Sequence, residues 1–364
     1  MKLKSTPSDK SLIRAKSNET ALSILLSFII VLAITILSGP FAFADDSYQL
    51  GHGYNIGPFN FAGYSDIVVN IPDEGHKTVG FGDLSLFVTG HVTPIFNPFI
   101  EAELTHFDFI SSERSGPDRG NGSFILERLY DDVTLTDAVT FRFGKMLAPV
   151  GEWNQIHAAP LVLAAVRPAV TDQNFSEFLT GASLLYGDPD GETPGLQLYW
   201  QPAGELFEQP SGITPDQYQQ VEGLHITYPL SLRDQIGFSF QRARDIHGID
   251  QSLFGLDFQY RVQKLTLQGE GTYADLSGHT AGLVRRTELG GYLGASYAFA
   301  EDWSVYGWHE EFAGRQIRAT SRDILGGVAY RPDPAMVLKF EYLENIGGTP
   351  VNPTGLFMSW SILF

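Results

Sequence analysis

The amino-acid sequence predicts an all-β protein, a transmembrane antiparallel β-barrel of about 16 strands. Three observations predict this fold: apolar and polar residues alternate in short segments, tight connections alternate with longer ones, and an apolar stripe ends on the last residue. The 364 residues include 38 Gly, 26 Phe and 15 Tyr but no Cys. That composition favours many strands, and it excludes a disulfide-stapled domain or a thiolate zinc site.

The chain begins with a segment that is typical of a targeting signal. A positively charged start is followed by the uncharged run 21–37, and the tripeptide at 42–44 provides a small-x-small cleavage site. We therefore expect residues 1–44 to be a cleaved signal peptide and residues 45–364 to form the barrel. An uncleaved anchor helix is the alternative, because the apolar run is longer than in most signal peptides.

Composition and motifs exclude several classes of function. No second apolar run reaches the roughly 20 residues of a transmembrane helix, so a polytopic helical membrane protein is excluded. The net charge of −18 argues against a nucleic-acid partner. Motifs of serine hydrolases, zinc peptidases, P-loop proteins and dinucleotide enzymes are absent from the sequence. We therefore expect no enzyme activity, no cofactor and no metal site.

Alternation of side chains supports the strand prediction. In residues 254–262 every second residue is apolar, whereas Asp257, Gln259 and Arg261 lie between the apolar ones. Successive side chains of a strand point to opposite faces, so one face of such a segment is apolar and the other polar. The strands predicted in this way lie at about 60–71, 78–92, 97–109, 124–135, 139–144, 179–187, 195–201, 222–230, 236–244, 253–263, 265–274, 288–299, 303–312, 322–331, 336–345 and 355–364.

The connections between these segments alternate in length. Those at one end are tight, as at 136–138 and 263–264, whereas those at the other end are mostly longer, as at 111–123 and 145–178. Tight turns on the periplasmic rim and longer loops on the outer rim are typical of transmembrane β-barrels, whose strand number is usually even. Sixteen strands fit the pattern best, and fourteen or eighteen are the alternatives.

The last residues continue the alternation to the end of the chain. An apolar stripe on every second residue runs from Leu356 to the terminal Phe364. A last strand that ends on Phe resembles the sorting and assembly signal of bacterial outer-membrane barrels. This resemblance implies that the outer-membrane assembly machinery is a partner and that Trp360, Ile362 and Phe364 carry the signal. The alternative is an ordinary last strand with a Phe at its end.

The segment 145–178 interrupts the rhythm of strands and short connections. Long loops in compact domains are functional or disordered, and residues 161–166 are too apolar for disorder, so this loop must pack against something. The run from Gly144 to Gly151 resembles the G-[KR]-x-x-x-P-x-G motif of the phosphate-selective porin family and its uncharacterised relatives, and the likeness extends over 142–171. It is also the third outer loop, the position at which sixteen-stranded porins fold a loop into the lumen.

The resemblance implies a Gram-negative outer-membrane porin in which this inward-folded loop narrows the pore. The candidate constriction residues are Lys145, Glu152, His157, Arg167, Asp172 and Glu177. The candidate wall residues, which lie opposite the apolar stripes, are Arg142, Asp257, Arg261, Glu270, Lys339 and Glu341. The two signs are mixed, which favours weak or modestly cationic selectivity. A phosphate-selective member is expected to gather Lys and Arg along its pore, and this departure puts phosphate selectivity in doubt.

The predicted function is a passive diffusion channel for small hydrophilic solutes or ions across the outer membrane. The alternative is an outer-membrane barrel enzyme, or a structural or adhesive barrel with an occluded pore. Expected partners are outer-membrane lipid and lipopolysaccharide, the permeating solutes or ions, and the assembly machinery. A homotrimer is expected by analogy with sixteen-stranded porins, since small residues with lipid-facing parity allow close contact; these are Gly269, Gly271, Gly291 and Gly326.

Overall fold

The computed structural model describes residues 48–112, 122–187, 193–207, 217–231 and 233–364. The expected signal peptide lies outside these residues. The described part of the chain contains 18 β-strands and one 3₁₀ helix of three residues, Ala169–Thr171. No helix found in these ranges is long and apolar enough to cross a membrane.

Two short strands, β1 (Tyr48–Gln49) and β2 (Gly53–Ile56), precede sixteen longer ones. The longer strands coincide with the predicted segments to within a few residues. They are β3 (Phe59–Pro72), β4 (Thr78–Gly90), β5 (Pro98–Ser111), β6 (Ser123–Thr136), β7 (Val139–Leu147), β8 (Phe178–Tyr186), β9 (Gly195–Gln201), β10 (Tyr218–Ser231), β11 (Asp234–Asp245), β12 (Ile249–Val262), β13 (Leu265–Gly278), β14 (Thr287–Ala298), β15 (Trp303–Ala313), β16 (Ser321–Asp333), β17 (Met336–Gly347) and β18 (Gly355–Leu363).

The sixteen long strands form one closed sheet. Each strand pairs antiparallel with its neighbours in the chain, and β18 pairs with β3, for example Trp360 with Ile67. Pairing also continues across the long connection between β9 and β10, where Leu198 lies opposite Leu224. Closure leaves no open edge among these sixteen described strands. The predicted sixteen-stranded antiparallel barrel is therefore confirmed.

The two faces of the barrel wall have the inverse polarity of a soluble sheet. On β12, Phe254 and Leu256 are exposed, whereas Asp257 is buried. The same alternation on β17 exposes Phe340 and buries Lys339. Polar side chains are therefore buried on one face and apolar side chains are exposed on the other, as expected of a wall that faces lipid.

The two ends of the barrel differ in the length of their connections, as predicted. At one end β12 and β13 are joined by Gln263 and Lys264 alone, and Gln263 has a left-handed φ of 55°, as tight hairpin turns require. At the other end, residues 148–177 connect β7 to β8. The predicted start of this loop at 145 is too early, because β7 continues to Leu147.

Candidate functional site

The β7–β8 loop, residues 148–177, is bonded to strands that are distant from it in the sequence. Three buried glutamates, on β13, β15 and β17, each accept hydrogen bonds from two consecutive amides of the loop. The distances are 2.6–3.1 Å, and the pairs are Glu270 with the amides of 152–153, Glu310 with those of 169–170 and Glu341 with those of 165–166. Buried amides need an acceptor, and the side-chain oxygens of these glutamates provide it.

Cations on the neighbouring strands bind the carbonyl groups of the same loop. Lys339 on β17 is 1% exposed, and its Nζ donates to the oxygens of Ala159 and Val162, each at 2.8 Å. Arg331 on β16 donates from Nη2 to the oxygen of Pro160 at 2.8 Å. The wall therefore supplies both the acceptors and the donors that the irregular backbone of the loop would otherwise lack.

Apolar packing accompanies these hydrogen bonds. Trp153 and Val170 of the loop belong to one buried cluster with Trp308 and Phe312 of β15. Most of the predicted apolar stretch packs against the same cluster, whereas Leu161 is 55% exposed. The loop is thus attached to the wall by a small core of its own, and the expectation that it must pack is confirmed.

His157 binds the loop to a different part of the wall. Its Nε2 lies 3.0 Å from Oε2 of Glu127 on β6, and its Nδ1 lies 3.0 Å from the carbonyl oxygen of Asn154. Glu127 belongs to a group of three buried carboxylates with Glu101 and Glu103. Burial alone would lower the pKa of His157, but Glu127 and the neighbouring Glu101 raise it to about 9. The imidazole is therefore charged at neutral pH, and the contact is an ion pair.

Arg167 is the centre of an ionic network within the loop. It donates to Glu177 at 2.6 Å and to Oδ1 of Asn154 at 3.0 Å, and it lies 3.9 Å from Asp172. Burial raises the pKa of Asp172 to about 6, although the nearby guanidinium acts in the opposite direction. Five predicted constriction residues lie in the loop: Glu152, His157, Arg167, Asp172 and Glu177. Asp172 and Glu177 both contact Arg167.

Two arginines of the wall stack over aromatic rings of the neighbouring strands β5 and β6. Arg142 forms a bidentate pair with Asp132, at 2.7 and 2.8 Å, and its guanidinium carbon is 3.9 Å from the centroid of the Tyr130 ring. Arg128 lies 4.5 Å from the centroid of Phe99, which stacks on Tyr130. Both arginine side chains are 21% exposed. They are held rigidly but remain partly accessible.

The other predicted wall residues differ in how far they are buried. Asp257 on β12 is 1% exposed, and Glu270, Lys339 and Glu341 contact the loop as described. Arg261 is exposed near the end of β12, where its amide donates to Asp234 at 2.8 Å. It shares the parity of Asp257 but lies close to the tight β12–β13 turn, at the end of the barrel opposite the β7–β8 loop.

Lys145 lies in a strand rather than in the loop to which the sequence assigned it. It lies in β7, opposite Leu129 of β6 and directly after Gly144, whose φ of 128° interrupts the regular alternation of side chains. Its ammonium pairs with Glu205 at 2.5 Å and donates to the oxygen of Phe207 at 2.9 Å. The prediction placed it in the loop, whereas β7 continues to Leu147 and Lys145 lies within the strand.

Three of the wall residues that contact the loop, Glu127, Glu310 and Arg331, were missing from the predicted set. Glu310 has the parity of Trp308 on β15, so alternation was the signal that could have identified it. Glu127 follows an irregularity in the β5–β6 pairing, between Glu101 and Ala102, which shifts the register. Counting every second residue fails across such a shift, so no local signal identifies Glu127.

The predicted assembly signal lies on β18 and just beyond it. Trp360 is exposed, and Ile362 and Phe364 on the same parity are partly buried. Phe364 exchanges two backbone hydrogen bonds with Gly63 of β3, at 2.8 and 2.9 Å. The terminal residue therefore takes part in closing the barrel.

A closed sixteen-stranded antiparallel sheet with a buried polar face and an exposed apolar face is the architecture of outer-membrane β-barrels. No protein-family model and no curated protein matches the chain. Solved structures share the fold at low identity. OmpF of Salmonella typhi aligns with a TM-score of 0.60 and 11% identity, over 86% of this chain and 98% of its own.

Two further outer-membrane structures give the same result. The trimer form of OmpT, an outer membrane protein of Vibrio cholerae, aligns with a TM-score of 0.58 and 12% identity, over 84% of this chain and 99% of its own. An anion-selective porin from Comamonas acidovorans aligns with a TM-score of 0.53 and 12% identity, over 84% and 97%. Likeness at such identities establishes the fold.

Proposed function

We propose that the chain is a porin of the Gram-negative outer membrane, a passive channel for small hydrophilic solutes or ions. The contacts of the β7–β8 loop carry this proposal. His157 binds Glu127 on β6, and the loop amides bind glutamates on β13, β15 and β17. These strands are spread around the closed sheet, and contacts of one segment with all of them support a loop that folds inward across the barrel.

A loop that crosses the interior narrows the passage, and the side chains left accessible beside it act on whatever permeates. On the loop these are Arg167 and Asp172, with side chains 22% and 23% exposed. On the wall they include Arg128 and Arg142. Both signs are present and most charges are paired, which supports a general pore of weak selectivity over a phosphate-selective one.

A second candidate is a barrel whose lumen is closed, and one observation favours it. Asp257, Glu310, Lys339 and Glu341 have at most 1% exposure on the polar face of their strands. In an open pore such residues would meet water. Their burial supports a loop that seals the barrel at this depth, either permanently or until it moves.

Single-channel conductance of detergent-folded protein in a planar bilayer tests both candidates. Deleting residues 158–166 removes the loop carbonyls that Lys339 binds and the amides that Glu341 binds, without deleting any charged residue at neutral pH. We expect unit conductance to rise several-fold, because bulk leaves the passage. Deleting residues 281–282 of the β13–β14 connection, where a Cβ on Gly282 would meet nothing within 4 Å, is the matched control and should leave conductance unchanged.

The outcomes separate the candidates. Discrete conductance steps from the unmodified protein support the porin. A silent unmodified protein with a conducting deletion variant supports the closed barrel. Silence of both, in protein that is β-rich by circular dichroism, would refute a channel in either form.

The proposed location determines the partners of the protein. Outer-membrane lipid and lipopolysaccharide would contact the exposed apolar face, and the assembly machinery would engage the last strand. For a homotrimer the support is the lipid-facing parity of Gly271, Gly291 and Gly326, and a Cβ on Gly326 would meet no atom within 4 Å. Cross-linking in native membranes tests this assembly, which a ladder ending at the monomer would contradict.

A further inference from the structure

A cavity of about 520 Å³ lies at the ends of β9 to β12. Its lining includes an aromatic residue, two cations, two acids and a hydroxyl group, none of which belongs to the loop contacts. These residues are Trp200, Arg242, Arg244, Glu222, Asp250 and Ser252. We call this cavity the rim groove.

The side chains of the rim groove lie in register across four strands. Trp200 pairs with Glu222, Glu222 with Arg242, and Arg242 with Ser252. Paired residues of antiparallel strands share a face, so these four side chains form one row on the same side of the wall. That side is the exposed, lipid-facing one, because Trp200 is 55% exposed on it.

An apolar belt begins directly beside this row. Phe238 on β11, and Phe254 and Leu256 on β12, are 41–57% exposed on the same face. Arg242 stays close to the belt, with its guanidinium carbon 5.9 Å from the centroid of the Phe240 ring. The rim groove therefore lies where the apolar surface changes to a polar one, and an exposed Trp is typical of that level in a membrane.

The rim groove lies at the end of the barrel that carries the long connections. Arg244 and Asp250 lie at the same end as the long connection between β9 and β10, whereas tight turns such as Gln263–Lys264 lie at the opposite ends of these strands. Long connections face outward in outer-membrane barrels. The row is thus at the level of the outer-leaflet headgroups.

The cations of the rim groove are available to a ligand. Arg244 lies only loosely against Asp250, at 3.7 Å, and both side chains are about half exposed. Among the described residues, Arg242 makes no ion pair, although Glu222 is its cross-strand neighbour. A guanidinium presents a planar fork of donors that matches the oxygens of a phosphate group.

We propose that the rim groove binds the phosphorylated headgroup of lipopolysaccharide, with its acyl chains along the belt of Phe238, Phe254 and Leu256. The inference rests on the proposed outer-membrane location. Two cations and two acids leave the rim groove without net charge, so a free phosphate ion would gain little there. A headgroup anchored by acyl chains is held at the guanidinium groups by burial of apolar surface on the belt.

The test uses the full folded protein in detergent and fluorescently labelled lipopolysaccharide, with anisotropy as the measure of affinity. The double variant Arg242→Gln with Arg244→Gln should bind at least fivefold more weakly. The matched control, Arg286→Gln with Arg318→Gln, removes two exposed arginines from other connections at the same end and should change affinity less than twofold. Inorganic phosphate up to millimolar concentration should not compete.

A second variant keeps the proposal testable if the double variant folds poorly. Ser252→Asp adds a negative charge to the row while leaving both arginines in place, and it should also weaken binding. Equal affinity of the intact and substituted proteins would overturn the proposal, as would competition by inorganic phosphate, which would reveal an ordinary anion site. Failure here alongside normal conductance would leave the porin proposal standing, whereas loss of β-rich folding in the intact protein would remove both.

Discussion

Deprotonating His157 should loosen the β7–β8 loop and destabilise the folded barrel at alkaline pH. The ordinary pKa of a histidine side chain is 6.5, and burial next to Glu127 leaves it at about 9 in the folded protein. A raised pKa means that the folded state holds the proton more tightly than the unfolded chain. The stabilisation is therefore complete below pH 6.5 and is lost as the pH rises through about 9.

The size of the effect follows from the same shift. One unit of pKa corresponds to about 1.4 kcal/mol, so the contact contributes on the order of 3 kcal/mol to the free energy of unfolding at pH 6. The His157 side chain is only 12% exposed, so solvent screens the pair weakly. In a domain of this size each 1 kcal/mol moves Tm by about 2 °C, which makes the expected loss on the order of 5 °C.

The perturbation is His157→Gln, which keeps a hydrogen-bond donor but carries no charge. Tm is measured in detergent at pH 6, 8 and 10, from circular dichroism or from the gel mobility of the unheated protein. The variant should melt about 5 °C below the unmodified protein at pH 6, and the two should converge near pH 10. Asp172, whose pKa of about 6 falls in the same range, is present in both proteins and drops out of the difference.

His279→Gln is the control, because it removes an exposed imidazole from the β13–β14 connection, and it should melt with the unmodified protein at pH 6. A difference between the unmodified protein and His157→Gln that stays constant from pH 6 to 10 would refute the reasoning. It would mean that His157 stabilises the fold by packing and hydrogen bonding and that its charge does not contribute to the free energy of unfolding.

Two further predictions concern charge and assembly. Arg142→Gln should move the reversal potential in a salt gradient toward cations, since it leaves Asp132 unneutralised at a partly accessible wall and a unit charge there is worth on the order of 1 kcal/mol. Lys145→Gln is the control, because the Lys145 ammonium is fully buried against Glu205, and equal shifts would place both side chains at the pore. Deleting Phe364 removes two backbone hydrogen bonds to Gly63 at the barrel seam, so the truncated chain should accumulate in the periplasm, which equal surface levels would contradict.

The barrel could be predicted because its determinants are local. In a strand with one lipid-facing side, apolar and polar residues alternate along the sequence. A two-residue hairpin such as Gln263–Lys264 marks where one strand ends and the next begins. The errors occurred where a strand runs into a long loop. The residues around Lys145 do not alternate clearly between apolar and polar. Only the pairing of Lys145 with Leu129 and Thr180 shows that β7 continues there.

The site could be predicted only in part. The strand side chain of each contact follows from local alternation, but the loop backbone group that it binds does not. The parity of Glu270, Lys339 and Glu341 places them on the polar face, and the structure buries all three there. Their partners are backbone groups of a loop more than a hundred residues away in the chain. Every residue except proline has a backbone amide, so the sequence does not show which loop amides a glutamate binds. It also does not show that each glutamate binds two consecutive amides.

The chemistry of these contacts bears on whether the loop can move. When the loop leaves the wall, Glu270, Glu310 and Glu341 and the amides they bind all become accessible to water, so each hydrogen bond is exchanged rather than lost and its net contribution is only about 1 kcal/mol. The apolar cluster around Trp153 and Trp308 has no such replacement in water. The hydrogen bonds therefore determine the register in which the loop docks, while the cluster accounts for much of the free energy of displacing it. The loss of one buried aromatic side chain would therefore lower the free energy of displacing the loop more than the loss of one glutamate side chain.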